Sequence, residues 1–206
     1  MIFMAGKKKV LIVGASGSIG KYVTDGISKY HDVIRASRTS GDINIDIADE
    51  ESIRSVFKKL KNLDAVVCTA GETFWEDFNQ ITGEQFYKGI KSKMMGQINL
   101  VLIGKDFINE NGSFTLTTGI LSEKPVQGSV NSTTVNNAVH GFVLSASKEL
   151  KNGLRVNAVC PGLVEVSVQQ LGYLFPGFVP VTMDRVVQGY LKSVDGTTSG
   201  QVIKIY

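Results

Sequence analysis

Apolar positions along the chain follow two alternating patterns. Short runs rich in branched residues, such as VLIVGA and DAVVCTA, suit strands buried on both faces. Six segments read this way: Lys9–Gly14, Asp32–Ser37, Ala65–Thr69, Ser113–Thr118, Arg155–Cys160 and Gln201–Tyr206. Between them, helical spacing predicts helices near Ile19–Tyr30, Asp49–Leu60, Thr82–Asn109 with interruptions, Asn136–Lys151 and Met183–Ser193. Strands alternating with helices argue for an α/β fold, a parallel sheet with helices on both faces. No linker, repeat or low-complexity block divides the 206 residues, so residues 1–206 are expected to form one domain.

Composition narrows the function classes. The chain is 43% hydrophobic and 20% charged with a net charge of +3, ordinary values for a globular protein. The Lys7, Lys8, Lys9 run precedes a strand without any stacking or groove-reading motif, which argues against nucleic acid as a partner. The opening MIFMAGKKK has too short an apolar run for a secretory signal, and no segment approaches the roughly 20 apolar residues of a membrane span. Cys68 and Cys160 lie in apolar runs and are expected to be buried thiols in a reducing compartment. The cysteines and the two histidines show no zinc spacing. A cytoplasmic, metal-free protein is the expectation.

The first candidate chemistry is the stretch VLIVGASGSIGKYV. Gly14, Gly17 and Gly20, spaced three apart, carry a strand through Ser16, Ser18 and Ile19 into a helix. Such a turn brings backbone N–H groups close to a pyrophosphate at the positive end of the helix. After the second strand, IRASRTS offers Ser37 and Arg38 where an adenosine ribose would lie, with Arg35 set back inside the strand. A dinucleotide fold that prefers NAD usually carries an acidic residue there, whereas arginine pairs with a 2′-phosphate, so NADP(H) is favoured over NAD(H).

From these motifs onward the chain resembles the short-chain dehydrogenase/reductase family over nearly its whole length. GASGSIG resembles the family's nucleotide loop, with glycine spacing closer to its extended and atypical branches. NIDIADEESI resembles the segment that borders the adenine, which implies roles for Asp46 and Ile47. VVCTAG stands where the family has NNAG, so Ala70 and Gly71 would run along the cofactor. LRVNAVCPG resembles the family's RVNavaPG and places Pro161 and Gly162 beside the nicotinamide, while TTSGQVIKIY resembles its last strand. The resemblance implies a Rossmann-type doubly wound parallel sheet.

It also implies a catalytic set of serine, tyrosine, lysine and asparagine, in which the tyrosine exchanges a proton with substrate and the lysine lowers its pKa from about 10. Aligning NNAVHGFVLSASKEL on the family's helix puts Ser132 at the tyrosine position and Asn136 at the lysine position. Thr117 or Thr118 stands at the serine position, and Lys93, read from KSKMMGQINL, at the asparagine position. All four expected residue types are changed. Thr118, Ser132, Asn136 and Lys93 are therefore the candidate catalytic set, with Lys93 a possible relocated cation. Tyr87 and Lys91 have the Tyr-x-x-x-Lys spacing but precede the Thr117 strand, so packing and solvation are expected of them. His140 is expected at the surface or an interface.

Two functions follow. One is an NADP(H)-dependent oxidoreductase acting on a small carbonyl or alcohol through an altered proton relay. The other is a non-catalytic nucleotide-binding sensor or protein-partner subunit. The segment VSVQQLGYLFPGFVPVTM, which covers substrate in the family, would supply Tyr173, Leu174, Phe175 and Phe178 as an apolar lid, with Tyr173 a further phenol to consider. The small residues Ala138, Gly141, Ser145 and Ala146 permit close helix contact, and by resemblance their helix and the one carrying Lys93 would form a homodimer.

Overall fold

A computed structural model describes residues 6–206, so most of the MIFMAGKKK opening lies outside the described residues. Seven parallel strands form one sheet: β1 (Lys9–Val13), β2 (Asp32–Ser37), β3 (Ile43–Asn44), β4 (Leu63–Cys68), β5 (Ile108–Thr117), β6 (Arg155–Pro161) and β7 (Val202–Ile205). Their spatial order is β3-β2-β1-β4-β5-β6-β7. The chain winds outward from β1 in one direction, then returns and winds the other way from β4. The C-terminal ends of β1 and β4 therefore flank a crevice, the general ligand position of open parallel sheets.

The helices are α1 (Gly20–Ser28), α2 (Glu50–Lys59), α3 (Gly83–Gly89), α4 (Gly96–Gly104), α5 (Val130–Glu149), α6 (Val168–Leu171) and α7 (Met183–Asp195). Helices α1 and α7 cover one face through a core including Val23, Ile27, Val186 and Tyr190, and α2, α4 and α5 cover the other through Ile53, Phe57, Leu100, Val139 and Val143. Strand residues point alternately into these two cores. Val10 and Ile12 face one, Leu11 and Val13 the other, which is why the run reads as continuously apolar.

The structure departs from the sequence expectation at several places; β5 begins at Ile108 instead of Ser113, inside the expected Thr82–Asn109 helical region, and the short α6 was not expected. The two-residue β3 was missed because it is too short for any period. A π-helical stretch, Ile90–Met95, joins α3 to α4, replacing the anticipated interruptions with one continuous but locally widened helix. Helix α5 begins at Val130, six residues before the expected start at Asn136. Its first turns are rich in Asn, Ser and Thr, which usually compete with helix by bonding to nearby backbone. Here several find partners elsewhere: Asn131 accepts from the Phe74 N–H and donates to the Phe86 carbonyl, and Thr133 donates to the Leu121 carbonyl. These contacts favour the helix that local propensity disfavours.

Candidate nucleotide and substrate site

The turn after β1 is shaped by close backbone packing. Gly14 has φ +88°, and a Cβ there would lie 2.7 Å from the Ala70 nitrogen. A methyl on Gly20 would overlap the Gly14 carbonyl. The Thr69 hydroxyl donates to the carbonyls of Val13 and Gly14, tying the end of β4 to the turn. Helix α1 begins without a side-chain cap, and although the Lys21 N–H donates to the Gly17 carbonyl, no side chain blocks the positive helix end from an anion. This is a cradle that side chains would fill, and it suits a dinucleotide's phosphates.

A cleft of about 270 Å³ opens beside the turn. Its walls include Gly14, Ser16 and Gly17 from the turn, Ser37 and Arg38 after β2, Asp46 and Ile47 after β3, and Ala70 and Gly71 after β4. Nine of the expected cofactor residues thus meet in one place. Ser18 is exposed in the turn and lines no wall of this cleft, while Gly20 is buried beneath it. Ile19, Pro161 and Gly162 line a neighbouring pocket of about 150 Å³ together with Trp75, Thr118 and Phe175.

Six further residues line the cleft, the apolar Val13 and Ile45 and the polar Thr39, Thr69, Glu72 and Ser92. Glu72 forms an ion pair with Arg38 at 2.5 Å, and its own N–H donates to the Ser92 hydroxyl at 3.0 Å. No local signal marks Glu72, because its relation to Arg38 arises only when β2 and β4 are brought beside β1. Arg35 instead pairs with Asp42, whose carboxyl falls to about 2 through the side-chain and backbone hydrogen bonds from Arg35.

Of the candidate catalytic residues, Thr118 lines the second pocket, and Lys93, Ser132 and Asn136 do not. Lys93 lies in the π-helical stretch, partly buried, with its stem packed where a Gly71 Cβ would be. Burial drives its pKa down, with the thiols of Cys68 and Cys160 the nearby titratable groups. Burial also pushes Cys68 up to about 12, so it remains a neutral thiol. Ser132 is buried and donates to the Thr73 hydroxyl at 2.7 Å. Asn136 is 3% exposed, and its Oδ1 has no hydrogen-bond partner.

Thr117 and Thr118 point to opposite sides of the sheet. Thr117 bonds to the Cys68 carbonyl and the Tyr190 hydroxyl inside the α7 core. Thr118 bonds to His140 Nε2 at 2.7 Å. His140 is half-buried, one side of its ring held by Thr118. Tyr87 is 69% exposed and Lys91 is also exposed. Tyr173 is 80% exposed, so its phenol lies outside the pocket. Phe175 is buried against Ile120, Leu121 and Leu163, with Leu174 and Phe178 packed on that cluster, which makes an apolar cover.

Among the described residues no cluster of three or more metal-ligating side chains occurs, and no helix is long and apolar enough to cross a membrane.

Comparisons with known proteins agree with this geometry. The family model described as Enoyl-(Acyl carrier protein) reductase matches residues 19–179. General stress protein 39 of Bacillus subtilis is 30% identical over 128 residues, 60% of this chain, and the match spans only 44% of that relative. The crystal structure of protein lin1944 from Listeria innocua is 39% identical and superposes with a TM-score of 0.95, covering 97% of this chain and all of that one. A small-chain dehydrogenase solved in complex with NADPH is 25% identical, with a TM-score of 0.83 over 97% of this chain and 96% of that one. With its parallel sheet, glycine cradle and cleft in this order, the chain belongs to the short-chain dehydrogenase/reductase family.

Proposed function

We propose that the protein binds NADP(H) in the cleft and uses it to reduce or oxidise a small, largely apolar carbonyl or alcohol. The observation that carries this reading is the convergence of Gly14, Gly17, Arg38, Asp46 and Gly71 on one cleft beside an uncapped helix end. The NADPH complex of a relative with the same fold supports the choice of ligand. Arg38 supports the phosphorylated dinucleotide, since a guanidinium pairs with a 2′-phosphate through charge-assisted hydrogen bonds.

The bound dinucleotide would supply or accept hydride. The chain's own part is to hold the phosphates on the β1–α1 turn, to line the nicotinamide end with Pro161 and Gly162, and to exclude water with Trp75, Leu171 and Phe175. None of Lys93, Ser132, Asn136 or Thr118 reproduces the family's activated phenol, so slow turnover is expected relative to members that retain it. General acid–base help contributes roughly 10²–10⁴ in rate. The second reading, a non-catalytic nucleotide-binding sensor or partner subunit, draws support from the same replacements.

Fluorescence titration with NADPH and NADH in parallel tests the proposal. Saturable binding with NADPH the tighter ligand is the expected result. No binding of either at millimolar concentration would sink both readings.

A further inference from the structure

Thr118 and His140 are in contact outside the cleft that the glycine turn lines. Thr118 is 4% exposed and forms part of the wall of the apolar pocket that Pro161 and Gly162 share. Its hydroxyl lies 2.7 Å from His140 Nε2. His140 is one helical turn beyond Asn136 on α5 and is only half-buried, so it stands between this wall and solvent. Glu123, from the segment after β5, and Lys204, on β7, are the charged groups that face it, and they are paired with each other. The Cys160 thiol on β6 lies within hydrogen-bonding reach of Thr118.

Three other candidate donors are committed or unsuitable. Ser132 already donates to Thr73, Asn136 is a neutral amide, and Tyr173 lies in solvent.

We propose that Thr118 and His140 form a proton relay between solvent and a small carbonyl compound held in this pocket, Thr118 being the catalytic residue and His140 a positioning residue that replenishes its proton. The proposal rests on the nicotinamide-dependent reading. In reduction the carbonyl carbon receives hydride from the reduced nicotinamide, which is thereby oxidised. The carbonyl π bond breaks toward oxygen, which takes the Thr118 proton as a new O–H bond. Thr118 Oγ1 takes the Nε2 proton of the His140 imidazolium in the same step, so no threonine alkoxide accumulates, and His140 recovers its proton from water. Oxidation of an alcohol runs the same transfers backward.

Burial lowers the His140 pKa, Glu123 raises it in part, and Lys204 lowers it further, the net shift being downward. The imidazolium needed for reduction is therefore the acid form, present below neutrality.

The test uses NADPH oxidation with a panel of small aldehydes and ketones between pH 5 and 9, for the wild type, His140→Gln, Thr118→Val and Thr118→Ser. NADPH affinity and the NMR titration of the two histidine rings are measured on the same samples. Wild-type kcat/KM is expected to fall about tenfold per pH unit above the His140 pKa, while His140→Gln and Thr118→Val lose that slope and roughly 10–100-fold in rate at low pH. Thr118→Ser should retain the slope. Thr118→Val should also shift the His140 titration while leaving His31 unchanged. NADPH binding within twofold of wild type in every variant would show that the site is intact.

Unchanged pH profiles in His140→Gln, an unchanged His140 titration in Thr118→Val, or NADPH binding without turnover of any carbonyl would each overturn the relay and leave nucleotide binding standing. Failure of the wild type to bind NADPH would overturn both.

Discussion

Lys93 shows how a single residue carries a cost that its position alone does not disclose. Its alignment marks it as a candidate, but only packing shows that its stem lies on Gly71 and that its ammonium is largely removed from water. A lysine whose folded pKa is depressed binds its proton less tightly in the folded than in the unfolded state. The resulting penalty is full below the folded pKa and disappears as pH rises past the unfolded value of 10.5. Lys93→Met should therefore be more stable than wild type at pH 7, by about 1.4 kcal/mol for each pH unit of depression, or about 2–4 °C in Tm per kcal/mol. The advantage should shrink as pH approaches 10. Calorimetry at both pH values checks this, and a variant less stable at pH 7 would mean that the ammonium has a favourable partner. For His140, too, only the fold brings Thr118 to one side of its ring.

At the scale of elements, the cleft is built from loops that follow β1, β2, β3 and β4, and its selectivity depends on how two of them face each other. Arg38 and Glu72 are 34 residues apart in sequence but share an ion pair at the cleft. A 2′-phosphate would compete with the Glu72 carboxylate for the same guanidinium. Both side chains are exposed, 65% and 69%, so the pair is screened and contributes only about 0.2–1 kcal/mol. Glu72→Gln is accordingly expected to tighten NADPH binding by up to about fivefold and to leave NADH within twofold. Equal gains for the two nucleotides in the fluorescence titration would show that Arg38 does not read the phosphate. The glycine turn was legible beforehand because its spacing and its strand–helix setting are local. Glu72 was not, since nothing within a few residues of it distinguishes it from a solvated loop charge.

For the whole molecule, the homodimer expected from α4 and α5 remains a proposal, with exposed apolar residues to support it. Leu102 on α4 is 48% exposed and Leu144 on α5 is 62% exposed, and both helices also line a groove with Val101, Phe142 and Ala146. Light scattering at micromolar concentration should give twice the monomer mass, and Leu102→Glu with Leu144→Glu should return it to the monomer mass. A wild-type monomer would reject the interface. What the sequence determined by itself was the alternation of strands and helices, the parallel sheet, and the nucleotide turn, because each rests on periodicity or on glycines close together in the chain. Tertiary structure alone decided the strand order that opens the crevice, the Arg38–Glu72 pair, the packing of Lys93 on Gly71, and the Thr118–His140 contact. Each of these joins residues more than twenty positions apart, where local spacing carries no information and only the winding of the sheet brings the partners together.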